Sequence, residues 1–219
     1  MVAFYKNKYL LNTTRKAEER HRLPSEEQLY RSDPHNVLLQ VDNFTQGGME
    51  NVVIDLALSL KKLGTDVSIA ILGKEGDAAA AAREKDLDVT SFGCPPAKEA
   101  YENYLRKRNI GLVNAHFSVF GAEVCAALNI PFLQTIHNSY VWFDPEATAK
   151  YKYSDSYTIA YICVSATAAR YADIVLGLDV SKMKVIPNGI DPSSIEHTKF
   201  ELNRKNLRNS WNIPAESPV

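Results

Sequence analysis

The chain has 219 residues, 45% hydrophobic and 23% charged, with a net charge of −1. That is enough for one large or two small domains with a sizeable core, and the composition excludes intrinsic disorder. A near-neutral chain has no basic footprint for nucleic acid, so a charged ligand must be met by local groups rather than by the overall field.

No uninterrupted apolar run approaches the ~20 residues that span a bilayer. The N-terminus "MVAFYKNKYLLNTTRKAEERHR" lacks the apolar core and small-residue cleavage site of a signal peptide. The three cysteines, Cys94, Cys125 and Cys163, are far apart and without C-x-x-C spacing, so neither a zinc site nor a redox pair is expected. Cys125 and Cys163 lie in apolar runs and read as buried small hydrophobes. These features together suggest a soluble protein in a reducing, cytoplasmic compartment, with peripheral membrane contact left open.

Residues 1–33 are rich in Lys, Arg and Glu and are broken by Pro24. Ser25 to Gln28 fits a capping box for a short helix reaching Tyr30, and the segment reads as an appendage or linker. From Asn36 the pattern changes. "NVLLQV" (Asn36 to Val41) has strand length, and "NFTQGGMENVVIDLALSLKKLG" follows it. Val52, Val53, Leu56, Leu60 and Leu63 recur at helical spacing over 49–63, and Gly64 is a fitting stop. Further strands are expected at "DVSIAIL" (66–72), "LDVTSF" (87–92), "GLVNAHF" (111–117), "PFLQTIH" (131–137), "IAYICVS" (159–165) and "KVIPN" (184–188). Helices are expected near 77–85, 96–108, 119–128, 146–156 and 166–177, the last capped by Ser165 or Thr167.

Continuous apolar strands alternating with helices predict an α/β fold: a doubly wound, mainly parallel, Rossmann-like sheet with helices on both faces. In such sheets ligands bind at the carboxyl ends of the strands, which says which residues to inspect. After the first strand come Gly47 and Gly48. Glycine permits positive φ and close backbone approach, and a helix N-terminus attracts anions, so the pair suits a phosphate or pyrophosphate. A tight strand-to-helix turn without a ligand reads equally well from these two residues. The stretch is neither G-x-G-x-x-G nor a P-loop, which disfavours a dinucleotide dehydrogenase and a P-loop nucleotidase. His116 follows the fourth strand, His137, Asn138 and Ser139 the fifth, and Ser165 the sixth. A histidine at such a place can exchange hydrogen bonds with a sugar hydroxyl or serve as a general base. No Cys, Asp or Glu at ligand spacing accompanies the two, so no metal site is expected. Tyr140, Trp142 and Phe143 offer aromatic faces for a sugar ring or a bilayer interface, or a plug of loop against the core. Asn188 and Gly189, in "VIPNGID", supply turn chemistry after the last strand.

The segments "GGMENVVIDLALSLKKLGTDVSIAIL", "VNAHFS", "PFLQTIHNSY", "AYICVSATAARY" and "KVIPNGID" occur in an order and spacing that resemble the N-terminal domain of a family 4 glycosyltransferase of the GT-B fold, across residues 36–191. The resemblance implies a half-enzyme that holds mainly the acceptor and moves a sugar from a nucleotide diphosphate-sugar donor to an acceptor hydroxyl, with retention and without a bound metal or cofactor. It implies that Gly47 and Gly48 lie under the donor diphosphate or reacting sugar, and that His137 is the active-site histidine. His116 matches a more variable position, and Asn188 and Gly189 match the turn into an interdomain linker. The family's second domain, with its basic diphosphate grip and paired glutamates, is not found in the sequence. Residues 34–191 are therefore expected to be the N-terminal domain and 192–219 a linker toward an absent C-terminal domain. The isolated chain is expected to be inactive. The alternatives are a non-catalytic sugar-binding or interaction module, or half of a sugar-nucleotide epimerase.

Overall fold

The structure is a computed structural model that describes residues 36–189, 197–214 and 216–218. The N-terminal segment 1–33 and its expected short helix lie outside the described residues. The chain divides into two compact units, one ending at Pro187 and the other beginning at Asn188.

The first unit is built on seven parallel strands: β1 (Asn36–Val41), β2 (Asp66–Ile71), β3 (Asp88–Ser91), β4 (Leu112–His116), β5 (Phe132–Ile136), β6 (Ala160–Cys163) and β7 (Met183–Val185). Six helices connect them: α1 (Gly48–Lys62), α2 (Asp77–Glu84), α3 (Lys98–Lys107), α4 (Ala122–Ala127), α5 (Pro145–Ser154) and α6 (Ala166–Ile174). The sheet order is β3-β2-β1-β4-β5-β6-β7. The chain winds outward from β1 to β3, crosses back through α3, and winds outward the other way from β4. The switch of direction falls between β1 and β4, where Val41 pairs with His116.

Alternation along the strands distributes the core between two faces. Val37, Leu39 and Val41, with Ile69 and Ile71, pack against Val53, Ile54 and Ala57 of α1 and Ala79 and Ala82 of α2. On the opposite face Leu38, Val113, Ala115 and Phe132 pack against Tyr101 and Leu105 of α3 and Cys125 of α4. Ile136, Tyr161 and Cys163 continue that face under Tyr151 of α5 and Ala168 and Ala172 of α6. Burial on both faces is what near-continuous apolar strands provide, and it is the main stabilising term of such a sheet.

Helix boundaries follow local chemistry. Asp144 caps α5 by accepting from the Ala147 N–H at 2.7 Å, with Pro145 at the first helical position. Ser165, rather than Thr167, caps α6, accepting from the Ala168 N–H at 3.1 Å. β1 coincides with its apolar run, β2 to β6 are one to three residues shorter than theirs, and β7 begins one residue before its run and ends at Val185. Phe117 is excluded from β4 because its φ is +56°, a left-handed value no strand residue adopts. In the second unit, α7 (His197–Ser210) forms where the sequence showed no periodic signal. The Arg208 guanidinium closes its end by donating to the carbonyls of Pro214 and Ser217.

Candidate functional site

The loop after β1 is fastened before it reaches the glycine pair. Phe44 is fully buried, its N–H donates to the Lys74 carbonyl at 2.9 Å, and Gly76 N–H donates back to the Phe44 carbonyl at 3.1 Å. Asn43 Oδ1 accepts from Lys74 N–H at 2.7 Å. Gly73 is required here: a Cβ would lie 2.8 Å from the Asp42 carbonyl oxygen and 2.6 Å from Asn43 Oδ1. This zipper aims Gly47 and Gly48 at the carboxyl edge of the sheet.

Neither glycine of the pair is left-handed, which corrects the expectation of positive φ. Gly47 is extended (φ 168°, ψ −177°) and Gly48 begins α1. A Cβ on Gly47 would meet only the flexible carboxylate of Glu50, and a Cβ on Gly48 would meet nothing within 4 Å. No side-chain hydrogen bond caps α1, and the acidic Glu50 stands in its first turn. Nothing in the protein's own packing accounts for a glycine at position 48.

The loop after β4 is fastened from the other side. Gln40 Nε2 of β1 donates to Ser118 Oγ at 3.0 Å and to the Phe120 carbonyl at 2.9 Å, and Tyr101 donates to Gln40 Oε1. Immediately before these anchors Phe117 is held at positive φ, a conformation that costs a bulky residue roughly 1–3 kcal/mol and persists only where the surroundings over-determine it. Its ring stacks on His137 with centroids 5.6 Å apart and planes 7° apart, and stacks outward on Trp142 at 6.1 Å and 23°.

The two histidines meet. His116 is fully buried, and its Nδ1 lies 2.8 Å from Nε2 of the half-buried His137. His116 Nε2 is buried with no partner among the described residues. Burial pushes His116 down to about 3, assisted by His137, and pushes His137 down to about 4, so both rings are neutral at pH 7. The His137 backbone N–H donates to Tyr140 Oη at 3.1 Å, and Tyr171 Oη donates to the Tyr140 carbonyl at 3.0 Å. Tyr140 and Phe143 plug loop against core, whereas Trp142 is 62% exposed.

Asn138 and Ser139 stand at the mouth beside His137 with no hydrogen-bond partner for either side chain among the described residues. Ser165 is exposed one strand further along, with its hydroxyl occupied as the cap of α6. Asn188 and Gly189 belong to the second unit. Sequence reasoning missed Phe117 and the anchoring roles of Gln40 and Tyr140. The one signal for Phe117 was an aromatic residue between His116 and Ser118. A pocket of about 220 Å³ between α3, α4 and α5, lined by Lys98, Phe120, Glu123, Lys150 and Tyr153, includes none of the expected site residues. Among the described residues no group of three acidic, His or Cys side chains is placed to hold a metal, and no helix is long and apolar enough to cross a membrane.

Curated protein sequences offer no match to this chain. Among solved structures it is similar to HepE of Anabaena in complex with UDP, at 17% identity and TM-score 0.64, covering 78% of this chain and 50% of that one. It is similar to a glycosyltransferase from Rickettsia africae at 19% identity and TM-score 0.63, covering 85% and 52%. It is also similar to a UDP-N-acetylglucosamine 2-epimerase from Rickettsia bellii at 13% identity and TM-score 0.53, covering 82% and 51%. The chain thus spans about half the length of these proteins, and at such identities the likeness shows the fold, that of GT-B glycosyltransferases. The model of Glycosyltransferase Family 4 matches residues 46–194, beginning at the residue before the glycine pair. The chain belongs to glycosyltransferase family 4.

Proposed function

We propose that this chain is the acceptor-side half of a retaining glycosyltransferase that moves a sugar, hexosyl in type, from a nucleotide diphosphate-sugar to an acceptor hydroxyl. The observation that carries the proposal is the convergence at the β1/β4 switch point. There an uncapped helix N-terminus opens on a glycine with free space beside it, one strand from a histidine pair of which His116 is buried and His137 half-buried. Free N–H groups and the helix dipole favour an anionic diphosphate or a developing negative charge. The absent side chain at Gly48 leaves room for donor or sugar. His137 meets an oxygen of the sugar or acceptor, with Asn138 and Ser139 beside it and Ser165 further along. The UDP bound by the Anabaena protein supports a nucleotide-sugar partner. No cofactor enters the proposed reaction, and Asn188 and Gly189 form the turn toward a second domain that grips the donor. The family match favours transfer over epimerisation, which the shared fold alone does not distinguish.

The test compares the chain alone with the chain joined to a second GT-B domain. Both are incubated with labelled nucleotide-sugars and candidate acceptors, and the product's anomeric configuration is read by NMR. Transfer with retention by the joined protein, and none by residues 1–219, is expected. Robust turnover by the chain alone, or an inverted product, would overturn the proposal.

A further inference from the structure

His116 Nδ1 and His137 Nε2 are 2.8 Å apart, so one hydrogen lies between them. Each neutral ring carries one N–H and one lone pair, which allows two arrangements. In the first, His116 donates from Nδ1, its Nε2 keeps a lone pair, and His137 carries its proton on Nδ1. In the second, His137 donates from Nε2, its Nδ1 is a bare acceptor, and His116 carries its proton on Nε2.

His116 Nε2 decides between them. That nitrogen is sealed from solvent and has no partner among the described residues. A buried N–H with nothing to donate to is the rarer defect in folded proteins, and an under-used acceptor is better tolerated. The first arrangement avoids the orphaned N–H and the second creates it. A second proton on His137 would also occupy Nε2 and drive His116 into the same orphaned state, so the geometry resists the imidazolium as well. The depressed proton affinity of both rings acts in the same direction. His137 Nδ1, by contrast, has no partner among the described residues and is not sealed off. Phe117, stacked 7° from parallel, holds the plane of the ring that carries it.

We infer that His116 is a positioning residue that holds His137 as a neutral hydrogen-bond donor through Nδ1–H, so that His137 recognises an acceptor oxygen, a sugar hydroxyl or a phosphate oxygen, and does not serve as general base. Assigning that oxygen to the substrate rests on the function proposed above. The tautomer does not.

The experiment is a long-range ¹H–¹⁵N correlation on the full chain with ¹⁵N-labelled histidine at pH 7, which needs no substrate. A neutral histidine side chain free in water favours the tautomer with its proton on Nε2, so a proton held on His137 Nδ1 is the signature of a constrained ring. The expected spectrum shows Nδ1 protonated and Nε2 bare. His116→Phe, which fills the space without a donor, should return His137 to the Nε2–H form and raise its titration midpoint. His116→Asn, whose amide can occupy the place of Nδ1, should restore the Nδ1–H form, an outcome that mere filling of the core would not produce. A wild-type His137 protonated on Nε2, or a tautomer unchanged in His116→Phe, would overturn the inference. The wild-type spectrum decides even if the variants fail to fold. A protonated Nδ1 together with undiminished transfer by His137→Ala in the two-domain enzyme would remove the substrate oxygen and sink the recognition role, leaving the tautomer standing.

Discussion

Replacing Gly48 with alanine separates a demand made by the protein from one made by a ligand. Gly48 opens α1 outside the left-handed region, and a Cβ there meets no atom within 4 Å. Alanine is therefore compatible, and at compatible sites Gly→Ala stabilises by about 0.4–1 kcal/mol. At the first position of a helix, the lower half of that range, about 0.5 kcal/mol, is expected. For a domain of this size 1 kcal/mol moves Tm by roughly 2–4 °C, so a rise of about 1–2 °C should be measurable. If donor or sugar lies against Gly48, the added methyl costs contact in the transition state. A loss of ~1.4–2.8 kcal/mol is about 10- to 100-fold in kcat/KM. Both quantities are read on one preparation of the two-domain enzyme, by thermal melting and by initial rates of sugar release. Higher Tm with impaired transfer is the expected pair. Higher Tm with unchanged transfer would refute the ligand approach and leave a plain strand-to-helix turn. A lowered Tm would refute the packing argument itself.

His137→Ala in the two-domain enzyme should lower the rate by ~10²–10³, as loss of a charge-stabilising donor does. It should also cost about 1–3 kcal/mol of stability, because His116 Nδ1 loses its acceptor; near-normal transfer would exclude His137 from the site. Stability should depend on pH through the histidine pair. Both folded values, about 3 and about 4, lie below the ordinary histidine value of 6.5, so the unfolded chain binds more protons between them. The contribution is complete above about pH 6.5 and is lost progressively as pH falls through about 4 and about 3. Replacing both histidines with phenylalanine should flatten Tm over that window, and an unchanged slope would show that the pair does not titrate as described. A strong chelator should leave transfer by the two-domain enzyme unchanged; loss of activity restored by a divalent cation would place a metal in the reaction.

The fold was legible because each layer of the sequence agreed with the next. Parallel strands buried on both faces must be apolar throughout, and "NVLLQV" and "DVSIAIL" announce themselves on that ground. The helix expected over 49–63 declared its period through Val53, Leu56 and Leu60, which pack on the core, whereas Val52 is outside that cluster and Leu63, past the end of the helix, is 82% exposed. Strand ends were less legible. "GLVNAHF" ends on an apolar residue, yet the strand stops at His116 because the backbone turns left-handed at Phe117. Composition carries no record of that turn. Position 200 onward was illegible for a different reason: α7 has no sustained apolar stripe, and Leu202, Leu207 and Trp211 stand exposed.

The site was legible as an edge and illegible as a geometry. The rule that ligands gather at strand ends selected His116 and His137, separated by 21 positions in sequence. Their bond arises because His116 pairs with Thr135 across β4 and β5, which places His137 two residues further along the same edge. Residues two apart on a strand point to one face, so a histidine at the level of Thr135 and one just beyond it share the side of the sheet under α1. Register, not motif, makes them neighbours, and no spacing within either segment reveals it. The same reasoning separates the glycines from the serine. Gly48 is unexplained by anything the protein packs against it, so the reading that a ligand approaches there rests on the proposed function. Ser165 is fully explained by the helix it caps, so Ser165→Ala should cost stability of about 1 kcal/mol, as lost caps do, before it costs transfer.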